Sequence, residues 1–113
     1  MTFRINVLRR ANRDVDHFLS WIAHDRKSPQ GAVRWYRAYE MALDRLARVA
    51  DQQPLAPENE FADFEVRHMT FKTRRGRPYR LLFTLADREV RVLHVRGPGQ
   101  DLVSADELNS GNT

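Results

Sequence analysis

The sequence has 113 residues, 42% apolar and 30% charged, with no cysteine and a net charge of +4. That is room for one compact domain with one modest core. The missing cysteine excludes disulfides, thiolate metal sites and cysteine nucleophiles, and fits a reducing compartment. Met1 to Leu8 lacks the long apolar run of a signal peptide, and no stretch approaches the ~20 apolar residues of a membrane span, so a cytoplasmic protein is expected. Apart from Lys27 and Lys72, the basic residues are all arginine. Guanidinium forks suit phosphate and carboxylate, which points to nucleic acid or an acidic protein as partner.

Thr2 to Leu8 alternates, with Phe3, Ile5 and Val7 on one side, and predicts a short strand with one buried face. Asn12 has the chemistry of a helix cap, with Asp14 and Asp16 in the first turn. Val15, Phe18, Leu19 and Ile22 then share one helix face. That helix should stop near Asp25–Lys27. Ser28-Pro29 restarts another, with Ser28 as cap and Pro29 at the first helical position. Ala32, Trp35, Tyr36, Tyr39, Leu43, Leu46 and Ala50 hold one face as far as Asp51–Gln53. The short break between the helices implies an antiparallel helical hairpin.

Gln53 to Asp63, with Pro54, Pro57 and Asn59, reads as a surface loop. Three strand-like runs follow: Phe64 to Lys72, Tyr79 to Leu85 and Glu89 to Val95. Arg75-Gly76 marks the first turn between them and Asp87-Arg88 the second. Gly97-Pro98-Gly99 ends the sheet. Ser104 to Glu107 has capping-box spacing, and Asn109 to Thr113 should fray. Residues 1–103 form the expected domain and 104–113 a C-terminal tail. The fold class is α+β: an N-terminal strand, a helical hairpin and a three-stranded antiparallel meander, with both helices on one sheet face.

That arrangement leaves the other sheet face uncovered. A tight turn at Asp87-Arg88 pairs Thr84 with Arg91, Leu82 with Leu93 and Arg80 with Val95, all on the open face. Leu81, Phe83, Val90, Val92 and His94 would meet the helices. Leucines set between Arg80 and Arg91 suggest a binding surface. Beside it Arg67, Lys72, Arg74, Arg75, Arg77 and Arg80 form the densest basic cluster, with Tyr79 adjacent. Arginines next to an aromatic ring suit a phosphate backbone and a stacked base. The bland alternative is an arginine-rich hairpin that blocks edge-to-edge pairing.

Other groups read as structural. His17 and His24 lie on one side of the first helix without further metal ligands nearby. Glu58 and Glu60 read as surface decoration. Trp35, Tyr36 and Tyr39 read as packing between helices. There is no glycine-rich phosphate loop, so neither metal nor cofactor is expected.

Several segments in order resemble the RelE/ParE toxins, also described as plasmid stabilisation proteins. They are Ser28-Pro29-Gln30-Gly31-Ala32 with its long helix, Leu46 followed by Pro54 and Pro57, Glu65-Val66-Arg67, Tyr79-Arg80-Leu81-Leu82-Phe83, and Val90-Arg91-Val92-Leu93-His94-Val95. The resemblance spans residues 3–103. It implies a helical hairpin on an antiparallel sheet that the N-terminal strand joins. It also implies the toxin half of a type II toxin–antitoxin system. An acidic, partly disordered antitoxin would bind Leu82, Leu93, Arg80 and Arg91, giving a hetero-oligomer.

RelE-like members cleave messenger RNA on the ribosome; ParE-like members inhibit DNA gyrase and are not nucleases. Arg80 matches the arginine of the nuclease branch, and Arg67 or Lys72 stands where that branch has basic residues on the preceding strand. Target contacts would come from Arg67, Lys72, Arg74, Arg75, Arg77, Tyr79, Arg80, Arg91 and Arg96. As a nuclease the chain would use Arg80, Arg67 and His94, with His68 ambiguous. After Arg96, however, Gly97-Pro98-Gly99-Gln100-Asp101 offers no imidazole, guanidinium or phenol. A base for the 2′-hydroxyl and a proton for the leaving oxygen are therefore missing, which favours binding over cleavage. A relative without toxicity, acting only in a complex, is the third reading.

Overall fold

A computed structural model describes residues 2–109. Strand β1 (Arg4–Val7) leads into helix α1 (Arg9–Ser20), which continues as a wider π-type turn at Trp21–Asp25. Helix α2 (Pro29–Val49) follows, then strands β2 (Arg67–Phe71), β3 (Tyr79–Ala86) and β4 (Glu89–Arg96), and a short helix α3 (Ala105–Asn109). The sheet order is β1-β4-β3-β2. The meander β2-β3-β4 is antiparallel as expected, but β1 runs parallel to β4, so the sheet is mixed. No helix among the described residues is long and apolar enough to cross a membrane.

The junction of the two helices follows its sequence signals. The Ser28 side chain accepts a hydrogen bond from the Gly31 N–H at 3.1 Å, and Pro29 takes the first turn. Lys27 adopts a positive φ of 53°, where the chain reverses. A Cβ at Gly31 would lie 2.6 Å from the Ser28 hydroxyl and 3.3 Å from Ile22, so glycine lets the helices approach.

Helix α1 starts earlier than its cap chemistry suggests. Leu8, not Asn12, is the capping position, and no acid lies in the first turn. The reason is the short β1. Its pairing with β4 stops at Val7–Val92, and the Leu8 N–H still reaches the Val92 carbonyl at 3.0 Å. Beyond that, β4 has no strand on its β1 side, and α1 takes the place of one. The Val95 N–H donates to the Asp14 carboxylate at 2.9 Å. Asp14 thus satisfies a strand edge instead of a helix end.

Ala11, Val15, Phe18 and Ile22 from α1 meet Ala32, Trp35, Tyr39, Ala42 and Leu46 from α2 over Leu81, Phe83, Val90 and Val92 of the sheet. Leu19 and Leu43 are only partly buried, Tyr36 is exposed, and Ala42 joins the buried stripe. Aromatic rings tile one end of this core. Trp35 stacks on Tyr39 with centroids 5.8 Å apart, and Phe18 meets Tyr79 edge-on at 5.0 Å. Each such buried side chain contributes about 1.5–3 kcal/mol.

The register carries one correction. Thr84 pairs with Arg91 as expected, but the ladder shifts between Leu82 and Phe83. Leu82 then lies opposite His94, not Leu93, and Arg80 opposite Arg96, not Val95. The bulge leaves an extra residue in β4. Val95 joins the helix-side core, while Leu93 enters a different one.

That different core is the larger correction. The second sheet face is not open. Leu82, Leu93 and Val66 pack with Ala56, Val103 and Leu108, and Leu8, Ala62 and Phe64 adjoin them. The loop before β2 and the segment after β4 fold over this face. Leu108 is 3% exposed, which anchors the short α3. Of the expected fraying at Asn109 to Thr113, the part from residue 110 onward lies outside the described residues.

Replacing Ser28 by alanine should remove the α2 cap and cost about 1 kcal/mol. Urea unfolding should show a lower midpoint with an unchanged slope.

Candidate functional site

Arg80 projects from β3 onto the second face, and its side chain is only 20% exposed. Its two terminal nitrogens grip the Glu58 carboxylate, Nη1 to Oε1 at 3.0 Å and Nη2 to Oε2 at 2.8 Å. Glu58 sits in a 3₁₀ turn at Pro57–Glu60 and is fully buried. Its Oε2 also accepts the Val103 N–H at 3.1 Å. One carboxylate therefore ties the pre-β2 loop, strand β3 and the C-terminal segment together. Glu58 is not surface decoration, although Glu60 is exposed as expected.

Burial pushes the Glu58 carboxyl up, but hydrogen bonds from Arg80, from its own backbone and from Val103, with the Arg80 charge, win and hold it below 4.5. His68 completes the cluster. Arginine can only donate, so the 3.2 Å contact between Arg80 Nη1 and His68 Nδ1 makes Nδ1 an acceptor. Burial first, then the Arg80 charge, lowers the His68 pKa despite the nearby Glu58. His68 is thus a neutral imidazole held in one tautomer.

The other nuclease candidates are also committed. Arg67 donates to the Gln53 carbonyl and to Glu65 Oε1, the latter at 2.9 Å. His94 is 1% exposed, with Nδ1 3.6 Å from Asp14 and no hydrogen-bond partner at Nε2 among the described residues. Arg80, His68 and Glu58 come together; His94 stays apart, beside α1.

Of the four residues assigned to an antitoxin, Leu82 and Leu93 are buried in the second core and Arg80 is bound to Glu58. Arg91 is 49% exposed and pairs with Glu89 at 2.7 Å. The expectation of leucines displayed between free arginines is overturned because the chain supplies its own cover.

The remaining basic residues divide by place. Lys72 is exposed just past the end of β2. Arg96 donates through Nε and Nη2 to the Asp101 carbonyl. Arg74, Arg75, Arg77 and Tyr79 line a groove of about 880 Å³ at the end of the sheet. The opposite wall comes from the helical hairpin: His17, Trp21, Arg26 and Arg34. Sequence reading missed this wall. Its one signal was Trp21, a large ring off the apolar stripe of α1, and it is 40% exposed.

Replacing Arg80 by alanine leaves a buried carboxylate without its cation and should cost about 3 kcal/mol. A Glu58→Gln, Arg80→Met double variant should recover most of that loss in urea unfolding. Because the folded pKa of Glu58 is depressed, its contribution is present above 4.5 and fades as pH falls through the folded value. Stability of the native chain should therefore drop in acid, and the Glu58→Gln variant should show a flatter profile in the same titration.

No protein-family model matches the chain, and no curated protein matches it. Among solved structures it is similar to one described as the chromosomal ParDE TA system from P. aeruginosa, with a TM-score of 0.60, 19% identity, and 84% of this chain and 95% of that chain covered. The architecture built up above, a helical hairpin on a four-stranded sheet, is the fold shared with that structure.

Proposed function

We propose that this chain is the toxin component of a cytoplasmic toxin–antitoxin pair. It acts by binding a target such as DNA gyrase and breaks no bond. The observation that carries the reading is the fate of Arg80. The guanidinium that matches the nuclease branch spends its two terminal nitrogens on Glu58 and borders His68. An arginine so engaged has little left to offer a pentavalent phosphate. The sequence after Arg96 supplies no imidazole, guanidinium or phenol in its place. The matched structure is described as a ParDE system, which supports the same branch.

The partner in this reading is an acidic antitoxin, partly disordered when free, that folds on binding. With Leu82 and Leu93 buried, it docks on surfaces the chain leaves open. Arg91 and Lys72 are its charged contacts. Target contacts draw on the arginines of the β2–β3 turn, Arg74, Arg75 and Arg77. A ribosome-dependent endoribonuclease using Arg80, Arg67 and His94 is the alternative that the experiment must separate; a non-toxic relative acting only in complex is the other.

Induction of the chain alone should arrest growth, and co-expression of the neighbouring reading frame should relieve it. Mapping of RNA 5′ ends should show intact transcripts, together with gyrase-linked DNA damage. Arg80→Lys keeps a donor for Glu58 and should leave toxicity in place. Cuts within codons would assign the nuclease instead, and harmless induction would remove the toxin reading.

A further inference from the structure

The groove at the end of the sheet has an unusual charge balance. Arg26, Arg34, Arg74, Arg75 and Arg77 line it, and no aspartate or glutamate does. Five arginines outside it, Arg4, Arg10, Arg67, Arg80 and Arg91, face carboxylates. Among the described residues, none of the five groove arginines has an ion-pair partner. Five cations around one hollow repel one another unless an anion enters.

The hollow is built to take more than a simple ion. The start of α2, at Ser28 and Gly31, opens into it, adding the positive end of a 21-residue helix. Phe18, Trp21, Trp35 and Tyr79 supply four aromatic rings to its lining. Trp35 is 3% exposed, yet its indole N–H has no acceptor among the described residues. That N–H is itself buried, so the accessible ring of the groove is Trp21, 40% exposed. At Gly97 a Cβ would stand 3.0 Å from the Phe18 ring and 3.4 Å from Tyr79, so the bare glycine lets the chain pack closely on both rings at the groove floor.

We propose that this groove binds a nucleotide, with its phosphates among Arg26, Arg34, Arg74, Arg75 and Arg77 and its base against the Trp21 ring. Arg26 already lies over that ring, 5.5 Å from its centroid, so stacking surface and countercharge coincide. The volume, about 880 Å³, lies within the range of small-molecule sites. An acidic peptide fits less well. Its leucine or valine anchors seek aliphatic slots, and Ile22 and Pro98 are the aliphatic members of this lining. The nucleotide could be free or the phosphorylated end of a single strand; the chemistry recognised is the same. This inference stands apart from the toxin reading, since it is tested on purified protein without any measure of toxicity.

The test titrates tryptophan fluorescence of the full chain with ADP, inorganic phosphate, adenosine, a 5′-phosphorylated dT octamer, its unphosphorylated form, and hexaglutamate. ADP or the phosphorylated octamer should bind saturably, at least ten-fold tighter than phosphate or adenosine alone, and weaken with added salt. Whichever of the two binds tighter identifies the source. Arg34→Ala and Arg77→Ala, both exposed positions, should each weaken binding about ten-fold with unchanged circular dichroism. Arg48→Ala, outside the groove, should not. Trp21→Leu, read with a fluorescent ADP analogue, should abolish the preference for ADP over phosphate. Absence of saturable binding, indifference to the arginine variants, or hexaglutamate binding as tightly as ADP would overturn the proposal.

Discussion

One carboxylate, Glu58, holds the second half of this molecule together. A charge as deeply buried as this one is tolerated only when its oxygens are satisfied. Here the fork of Arg80 covers both oxygens and the Val103 N–H takes a further lone pair. Three segments distant in sequence therefore meet at one group. Around it Ala56, Val66, Leu82, Leu93, Val103 and Leu108 form an apolar shell. The shell lowers the local dielectric and strengthens the ion pair, and the pair fixes the loops that make the shell. Among the described residues the loop before β2 has one short ladder, the bridge of Leu55 to Arg67, so this cluster is a main tie between it and the sheet.

The same interaction decides the chemistry of this face. A guanidinium positioned for phosphate must have donors to spare, whereas Arg80 faces a carboxylate on one side and a neutral imidazole on the other. This chain uses the Arg80 guanidinium for cohesion. Five arginines without a carboxylate partner gather at the end of the sheet, where the β2–β3 turn faces the helical hairpin. The charge pattern thus separates into a spent arginine inside and unspent ones outside.

The helical hairpin, the three-strand meander and most of the helix-side core were legible from periodicity and from the Ser28-Pro29 restart, because those signals are local. The errors share one cause. Parallel pairing of β1, the bulge near Leu82 and the Asp14 contact to Val95 all depend on where strands end relative to one another. Sequence alternation does not carry that information. Glu58 was misread for a related reason: a loop acid flanked by Pro57 and Asn59 looks solvated until the strand carrying Arg80 is placed beneath it. Leu82 and Leu93 were correctly seen as apolar on the second face, but part of the cover came from Leu108, in a stretch that reads as a tail.

The basic groove shows the opposite failure. The cluster from Arg74 to Arg77 was visible, yet half of the site was not, since Arg26 and Arg34 lie some 40 or more residues earlier in the chain. Both flank the helix break that Lys27, with its positive φ, makes. The break serves two ends at once. It lets α2 reverse against α1, and it presents the start of α2 beside the tip of the β2–β3 hairpin. A straight continuation of α1 would carry Arg26 and Arg34 away from Arg75 and Arg77 at ~1.5 Å per residue. The chain reversal that builds the core therefore also gathers the cations, and the anion-binding end of the molecule is a by-product of how its helices are joined.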